Sequence, residues 1–284
     1  MERRLISIII IVKNDPRVLY LVKKILNSNS NKNIEIIVVD ASDKKIMPPI
    51  NKDTRVKWYF YNQKGKSKTI SQQRNYGIKR SKGDVIVFID ADCDPVTDWL
   101  KSISDPILSK IELVTVGPIV VKGYMRHNKS SHYVRYAGGG NMAISREACT
   151  RVGYYNEDMS VAEDYEYCAR IRQNGYKIAL VDSAVVHHPN DSFKKNFFKG
   201  FIYGEGVVKL YIKNPSEIGL HSHFIYTVSY SGYILLLPLA YFFPYYPLLI
   251  AVPALIRLPR NPIKELINIS FGFGVLYGCI KSIL

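Results

Sequence analysis

Val85-Ile86-Val87-Phe88-Ile89-Asp90-Ala91-Asp92 is the stretch on which the fold turns. Five apolar residues in a row, four of them β-branched, read as a strand buried on both faces, as the strands of parallel sheets are. Two carboxylates one residue apart follow where that strand opens into a loop. In open α/β sheets ligands bind outside the carboxyl ends of the strands. A hard divalent cation, Mg²⁺ or Mn²⁺, takes carboxylate oxygens together with phosphate oxygens, and clustered anions without such a partner are costly. Asp94 adds a third carboxylate, but with Pro95 and Thr97 behind it, it also reads as a helix N-cap.

The same pattern extends outward. Leu5–Val12, Ile34–Val39 and Val56–Tyr61 are further apolar runs of strand length. Asp15-Pro16 opens a helix through about Leu26, and Thr69–Lys82 is a second helix that Gly83 stops. Strands alternating with helices predict a mostly parallel sheet flanked by helices on both faces. Asp40 ends its strand as Asp90 does, and is placed to accept a hydrogen bond from a base or a ribose. No G-x-G-x-x-G follows the first strand and no G-x-x-x-x-G-K-[ST] is present, which excludes a dinucleotide-binding fingerprint and a P-loop. Farther on, Leu113–Val121 reads as one strand, Gly138-Gly139-Gly140-Asn141 as a turn, and Ala162–Gln173 as a helix opening on Glu163-Asp164. Lys177–Val181 and Ala184–Val186 are short strand-like runs ending at His187-His188-Pro189; an imidazole within reach of the Asp pair would complete a metal shell.

Composition places this domain beside a membrane. Of 284 residues, 47% are hydrophobic and 22% charged, so the chain is neither disordered nor fibrous. The 39 Lys and Arg outnumber 24 Asp and Glu, but the lysines are scattered, which argues against a nucleic-acid partner. Cys93, Cys149, Cys168 and Cys279 form no C-x-x-C pair, and a reducing compartment fits them. Leu5–Val12 follows Glu2-Arg3-Arg4 but is too short, and too soon broken at Lys13-Asn14-Asp15-Pro16, for a signal peptide. From Phe224 to Ile256 no Asp, Glu, Lys, Arg or His occurs, a run longer than the roughly 20 residues that a membrane span needs. Pro244 and Pro247 near its middle suit a hairpin, and Leu266–Ile280 is a further apolar run. The basic loop with Arg257, Arg260 and Lys264 is expected on the cytoplasmic side. Phe193–Lys213 interleaves five lysines with aromatic and aliphatic residues, the pattern of a helix lying on an anionic membrane, though Gly200, Gly204 and Gly206 weaken a helix there. Three regions follow: 1–192 catalytic, 193–223 interfacial, and 224–284 membrane-anchoring helices.

Taken in order, Ser7–Val12, Ile37-Val38-Val39-Asp40, Gln73-Arg74-Asn75-Tyr76-Gly77, Gly83 through Asp92, Gly140-Asn141-Met142-Ala143-Ile144 and Glu163-Asp164 resemble family 2 glycosyltransferases of the GT-A fold. The resemblance covers about residues 5–190. It implies an α/β fold and a nucleotide-sugar donor, UDP- or GDP-linked, with Asp40, Arg74, Asp90 and Asp92 binding that donor. It further implies that Asp92 and His187, with His188 as the adjacent alternative, hold Mg²⁺ or Mn²⁺. Asp164 would be the catalytic base, and Gly140, Asn141 and Glu163 would lie on the acceptor side. Where the family's processive synthases carry Q-x-x-R-W, this chain has Arg170-Ile171-Arg172-Gln173-Asn174-Gly175-Tyr176, so transfer of a single sugar is expected. The expected activity is inverting transfer to a lipid-linked saccharide, with the catalytic domain on the cytoplasmic face of the cell membrane. A polyprenyl-phosphate sugar synthase is the alternative acceptor class, and a catalytically silent membrane scaffold the alternative of another kind.

Overall fold

The structure is a computed structural model that describes residues 4–29, 33–44, 46, 53–62, 69–121, 124–125, 132–159, 161–215, 232, 242 and 262–283. The chain divides into two compact units, 1–190 and 191–284.

The first unit is built on a seven-stranded sheet. Its parallel half comprises β1 (Ile6–Val12), β2 (Ile34–Asp40), β3 (Val56–Phe60) and β4 (Val85–Asp90), with β1 between β2 and β4. β9 (Asn141–Ser145) runs antiparallel to β4, and β6 (Val114–Val116) and β10 (Ala179–Leu180) complete the order β10-β6-β9-β4-β1-β2-β3. Alternation along β1 divides the core. Ile6, Ile8, Ile10 and Val12 pack with α1 (Arg17–Ser28) and α3 (Trp99–Leu108). Ile9 packs on the opposite face with Ile78 of α2 (Ile70–Arg80) and with Tyr167, Cys168 and Ile171 of α5 (Glu163–Gln173). α2 is fixed at its start by a capping box between Thr69 and Gln72. α4 (Arg146–Val152) follows β9, and the Ser145 side chain caps it.

Two local expectations are corrected. Leu113–Val121 is not one strand. Gly117-Pro118 breaks it, and β7 (Ile119–Val121) leaves the large sheet for a small one of order β5-β11-β7-β8, with β5 Asp94–Pro95, β8 Tyr124–Met125 and β11 Val186–His187. At Gly117 a Cβ would collide with the Ala184 carbonyl, so the crossing point admits only glycine. Asp94 does not cap a helix: it lies in β5 and ion-pairs with Lys24, and α3 begins only after Asp98.

The second unit contains α6 (Phe193–Lys213) and α7 (Pro262–Ile283). Its three glycines do not interrupt α6. Gly200 and Gly204 lie against α7, where a Cβ at Gly204 would meet the Phe271 carbonyl, and one at Gly274 the Phe201 carbonyl. The small residues that lower helix propensity here let two backbones approach. Ser270 donates to the Phe197 carbonyl at 2.7 Å and Lys281 pairs with Glu205 at 2.8 Å. Within α7, Leu266–Ile283 is long and apolar enough to cross a membrane, with mean hydropathy 1.5. The apolar block 224–256, apart from positions 232 and 242, lies outside the described residues, as do Arg257 and Arg260.

Candidate active site

The sheet register brings the key carboxylates to one edge. Asp40 ends β2 opposite Val12, and Asp90 ends β4 opposite Ile11, so the two flank the carboxyl end of β1. Asp40 is fully buried. Its Oδ1 accepts from the Ser42 amide at 2.9 Å and its Oδ2 from the Ile46 amide at 3.1 Å, so the carboxylate shapes the loop that leaves β2.

Around Asp90 four elements converge. Arg74, from the middle of α2, is buried with its side chain 4% exposed. Its Nη1 donates to Glu163 Oε1 at 2.9 Å and its Nη2 to Asp90 Oδ1 at 3.3 Å. The guanidinium lies over the Tyr155 ring, 5.2 Å from its centroid, and Tyr155 stacks on Tyr167. The turn at Gly139-Gly140 closes the group: a Cβ at Gly139 would strike the Arg74 guanidinium, and one at Gly140 the Asp90 carboxylate. The Gly139 amide donates to Asp164 Oδ2 at 3.3 Å, and the Tyr165 amide to Oδ1 at 2.9 Å.

Burial sets the electrostatics here. Burial first, and then the adjacent Asp164 charge, push the Glu163 carboxyl up to about 7 against the pull of Arg74. Burial likewise raises Asp164 above the ordinary carboxylate value, opposed by Arg74 and by the two amides that bond it. A partly buried carboxylate with a raised pKa, such as Asp164 in the first turn of α5, is a stronger proton acceptor than a solvated one.

Asp92 lies apart from this group, with a different partner. His188 Nε2 stands 3.3 Å from Asp92 Oδ2. His188 Nδ1 faces the Pro189 carbonyl at 2.6 Å. A carbonyl only accepts, so Nδ1 donates to it, and that bond fixes the ring with Nε2 facing Asp92. Metal-binding histidines are oriented in this way, their other nitrogen donating to a carbonyl or carboxylate. His187 is the residue the structure does not bring to Asp92: it is exposed on β11, paired in register with Asp94. One position along a strand turns a side chain to the other face. Among the described residues no group of three or more His, Cys, Asp and Glu is placed to hold a metal alone. A site of one carboxylate and one imidazole fits Mg²⁺ or Mn²⁺ that takes its remaining ligands from phosphate and water.

Asn141, expected on the acceptor side, has its side chain engaged within the fold. It is fully buried; its Oδ1 accepts from Trp99 Nε1 at 2.8 Å, and its Nδ2 donates to the Pro118 and Ala184 carbonyls at 3.1 and 2.8 Å. It ties β9 to the start of α3 and to the two strand connections around it. Glu163 is buried beneath Asp164 as the partner of Arg74, and Gly140 abuts Asp90. Motif reading did not find Tyr155, the aromatic floor under Arg74.

Residues 7–176 match the sequence profile described as Glycosyl transferase family 2. The chain belongs to that family. Among curated relatives, the chondroitin synthase of Pasteurella multocida (strain Pm70) is 23% identical over 243 residues, covering 67% of this chain and 25% of that protein. The chain spans between a quarter and a half of the length of the first curated relatives it matches. Among solved structures, the mannosyltransferase PcManGT from Pyrobaculum calidifontis, in complex with GDP-Man and Mn²⁺, superposes with a TM-score of 0.70 at 16% identity, covering 100% of this chain and 88% of that one. GalNAc-T7 with UDP, GalNAc and Mn²⁺ superposes with a TM-score of 0.59 at 17% identity, covering 82% of this chain and 51% of that one. The family 2 chain thus shares their GT-A fold, a mostly parallel sheet with helices on both faces.

Proposed function

We propose that this family 2 chain is an inverting, non-processive glycosyltransferase that moves one sugar from a UDP- or GDP-linked donor to a lipid-linked saccharide at the cytoplasmic face of a membrane. The observation that carries the reading is Asp164, a carboxylate with a raised pKa held by the Gly139 amide beside the Arg74–Asp90 pair.

Asp164 takes the proton of the acceptor hydroxyl as its oxygen attacks the anomeric carbon. The new bond from that oxygen to the carbon forms as the carbon–oxygen bond to the donor's diphosphate breaks. A single displacement from the face opposite the leaving group inverts the anomeric centre. Asp92 and His188 would hold the divalent cation, which supplies charge neutralisation for the departing diphosphate. Asp40 shapes the loop expected to face the nucleoside, and Arg74 holds Asp90 in place. The Mn²⁺ and nucleotide ligands of the two structural neighbours support the donor class. The apolar segment Leu266–Ile283 and the lysine-bearing α6 support a membrane and a lipid-linked acceptor.

A panel of nucleotide-sugars screened by thermal shift with Mn²⁺ identifies the donor, since a matching ligand stabilises the folded state by mass action. Asp164→Asn is expected to keep that shift and to lose transfer to lipid-linked saccharides. Turnover in Asp164→Asn refutes the base assignment, and a wild-type chain that binds no donor and transfers no sugar supports the scaffold reading instead.

A further inference from the structure

Arg17 is a cation that the family motifs leave unused. It opens α1 directly after Asp15-Pro16, at the carboxyl edge of the sheet. Its guanidinium forks onto Asp15, with Nε donating to Oδ1 at 2.8 Å and Nη2 pairing with Oδ2 at 2.5 Å. The same Nη2 stands 3.6 Å from Asp92 Oδ2, the oxygen that also faces His188. The Arg17 side chain is 49% exposed, so it reaches the site from the solvent side and has room to move.

Two positive charges cannot share one carboxylate oxygen without cost. A guanidinium at this distance neutralises Asp92, and it repels a divalent cation bound to the same oxygen. A diphosphate reverses the balance. It brings negative charge that offsets the repulsion, and its oxygens match the planar fork of an arginine.

We propose that Arg17 couples the two binding events: it opposes a divalent cation at Asp92 when no nucleotide is bound, and contacts the donor's diphosphate when one is. This rests on the reading of Asp92 and His188 as metal-holding residues. The donor and the cation then strengthen each other's binding by one common factor, because coupling between two ligands is reciprocal.

The test uses the full chain in detergent micelles and titrates Mn²⁺, following free Mn²⁺ by electron paramagnetic resonance, with and without saturating UDP or GDP. The wild-type chain is expected to bind Mn²⁺ at least about tenfold more tightly with the effective nucleotide than without it. In Arg17→Gln, binding of Mn²⁺ alone should strengthen by several-fold and binding with nucleotide should weaken, shrinking the coupling factor by about tenfold. Arg17→Lys keeps the charge and should retain most of the coupling. An unchanged coupling factor in Arg17→Gln overturns the proposal, as does an equal weakening of both titrations. Asp92→Asn separates the two ideas: it should lose Mn²⁺ in both titrations, and if it does not, the metal assignment itself fails whatever Arg17→Gln shows.

Discussion

Arg74 and Glu163 form an ion pair of 2.9 Å with both side chains almost wholly buried, 4% and 7% exposed. One lies in the middle of α2 and the other opens α5, 89 residues later. The pair therefore locks together the two helices that frame the acidic centre. A buried charge left without its partner costs about 3–5 kcal/mol. Arg74→Met should therefore destabilise the protein by roughly that amount, read by urea denaturation. Arg74→Met combined with Glu163→Leu should recover part of the loss, since the Glu163 carboxyl is then no longer buried without its partner. Equal stability of the single and double variants would mean that the pair is not the source of the effect.

The same pair sets a pH dependence of stability. Glu163 sits near 7 in the folded chain against 4.5 for the ordinary carboxyl. Between those values the folded state binds more protons than the unfolded one, so stability falls as pH rises from about 4.5 to about 7. Asp164, raised as well, acts in the same direction. The Glu163 contribution is roughly 3 kcal/mol over that window. Urea midpoints measured from pH 4.5 to 7.5 should decline in the wild type and flatten in Glu163→Gln. A stability that climbs through this window in both proteins would contradict a raised Glu163.

Much of this was legible in sequence because it is local. β-Branched runs marked β1, β2 and β4, and the carboxylates at the ends of β2 and β4 fell where such sheets place ligands. What stayed hidden depends on contacts between distant residues. Asn141 looks like part of an exposed glycine turn, but its amide bonds carbonyls 23 and 43 positions away. Arg17 reaches Asp92 across 75 positions of sequence, and Tyr155 meets Arg74 from another segment altogether. The split of Leu113–Val121 depended on the Ala184 carbonyl crowding Gly117, which no periodicity records.

The choice between adjacent histidines follows from strand alternation and is separable by experiment. His188→Ala should weaken Mn²⁺-dependent donor binding by about 10–100-fold, the usual loss at a metal site or its supporting shell. His187→Ala should leave it within about twofold, since that ring is exposed and turned away from Asp92. Isothermal titration with nucleoside diphosphate and Mn²⁺ reads both. The reverse order of effects would mean that β11 shifts by one residue in the loaded enzyme.

The turn at Gly139-Gly140 should tolerate no side chain, for two distinct reasons. At Gly139 a methyl group meets the Arg74 guanidinium, which is pinned by Glu163 and Tyr155, so overpacking of about 1–3 kcal/mol is expected from Gly139→Ala. At Gly140 the methyl meets Asp90, whose side chain is 37% exposed and can turn into solvent by giving up its 3.3 Å contact with Arg74. Gly140→Ala should therefore cost little stability, yet turn Asp90 away from Arg74 and weaken donor binding. Thermal denaturation and donor titration, run on both variants, tell the two apart; equal loss of stability would refute the distinction.

In the second unit the glycines are the packing surface itself. A Cβ at Gly274 would overlap the Phe201 carbonyl, and one at Gly204 the Phe271 carbonyl, so larger residues must push α6 and α7 apart. Close packing of small residues substitutes for the hydrophobic effect where helices meet in lipid. Gly274→Leu is expected to break this pairing and, with it, the registration of Ser270 on the Phe197 carbonyl and of Lys281 on Glu205. A zero-length carbodiimide should join the native Lys281–Glu205 pair, 2.8 Å apart in the wild type, and that crosslink should be lost once Gly274→Leu is added. Donor binding should be unchanged in Gly274→Leu, because the residues that bind it belong to the other compact unit. Retention of the Lys281–Glu205 crosslink in that variant would show that the helices have another way to pack.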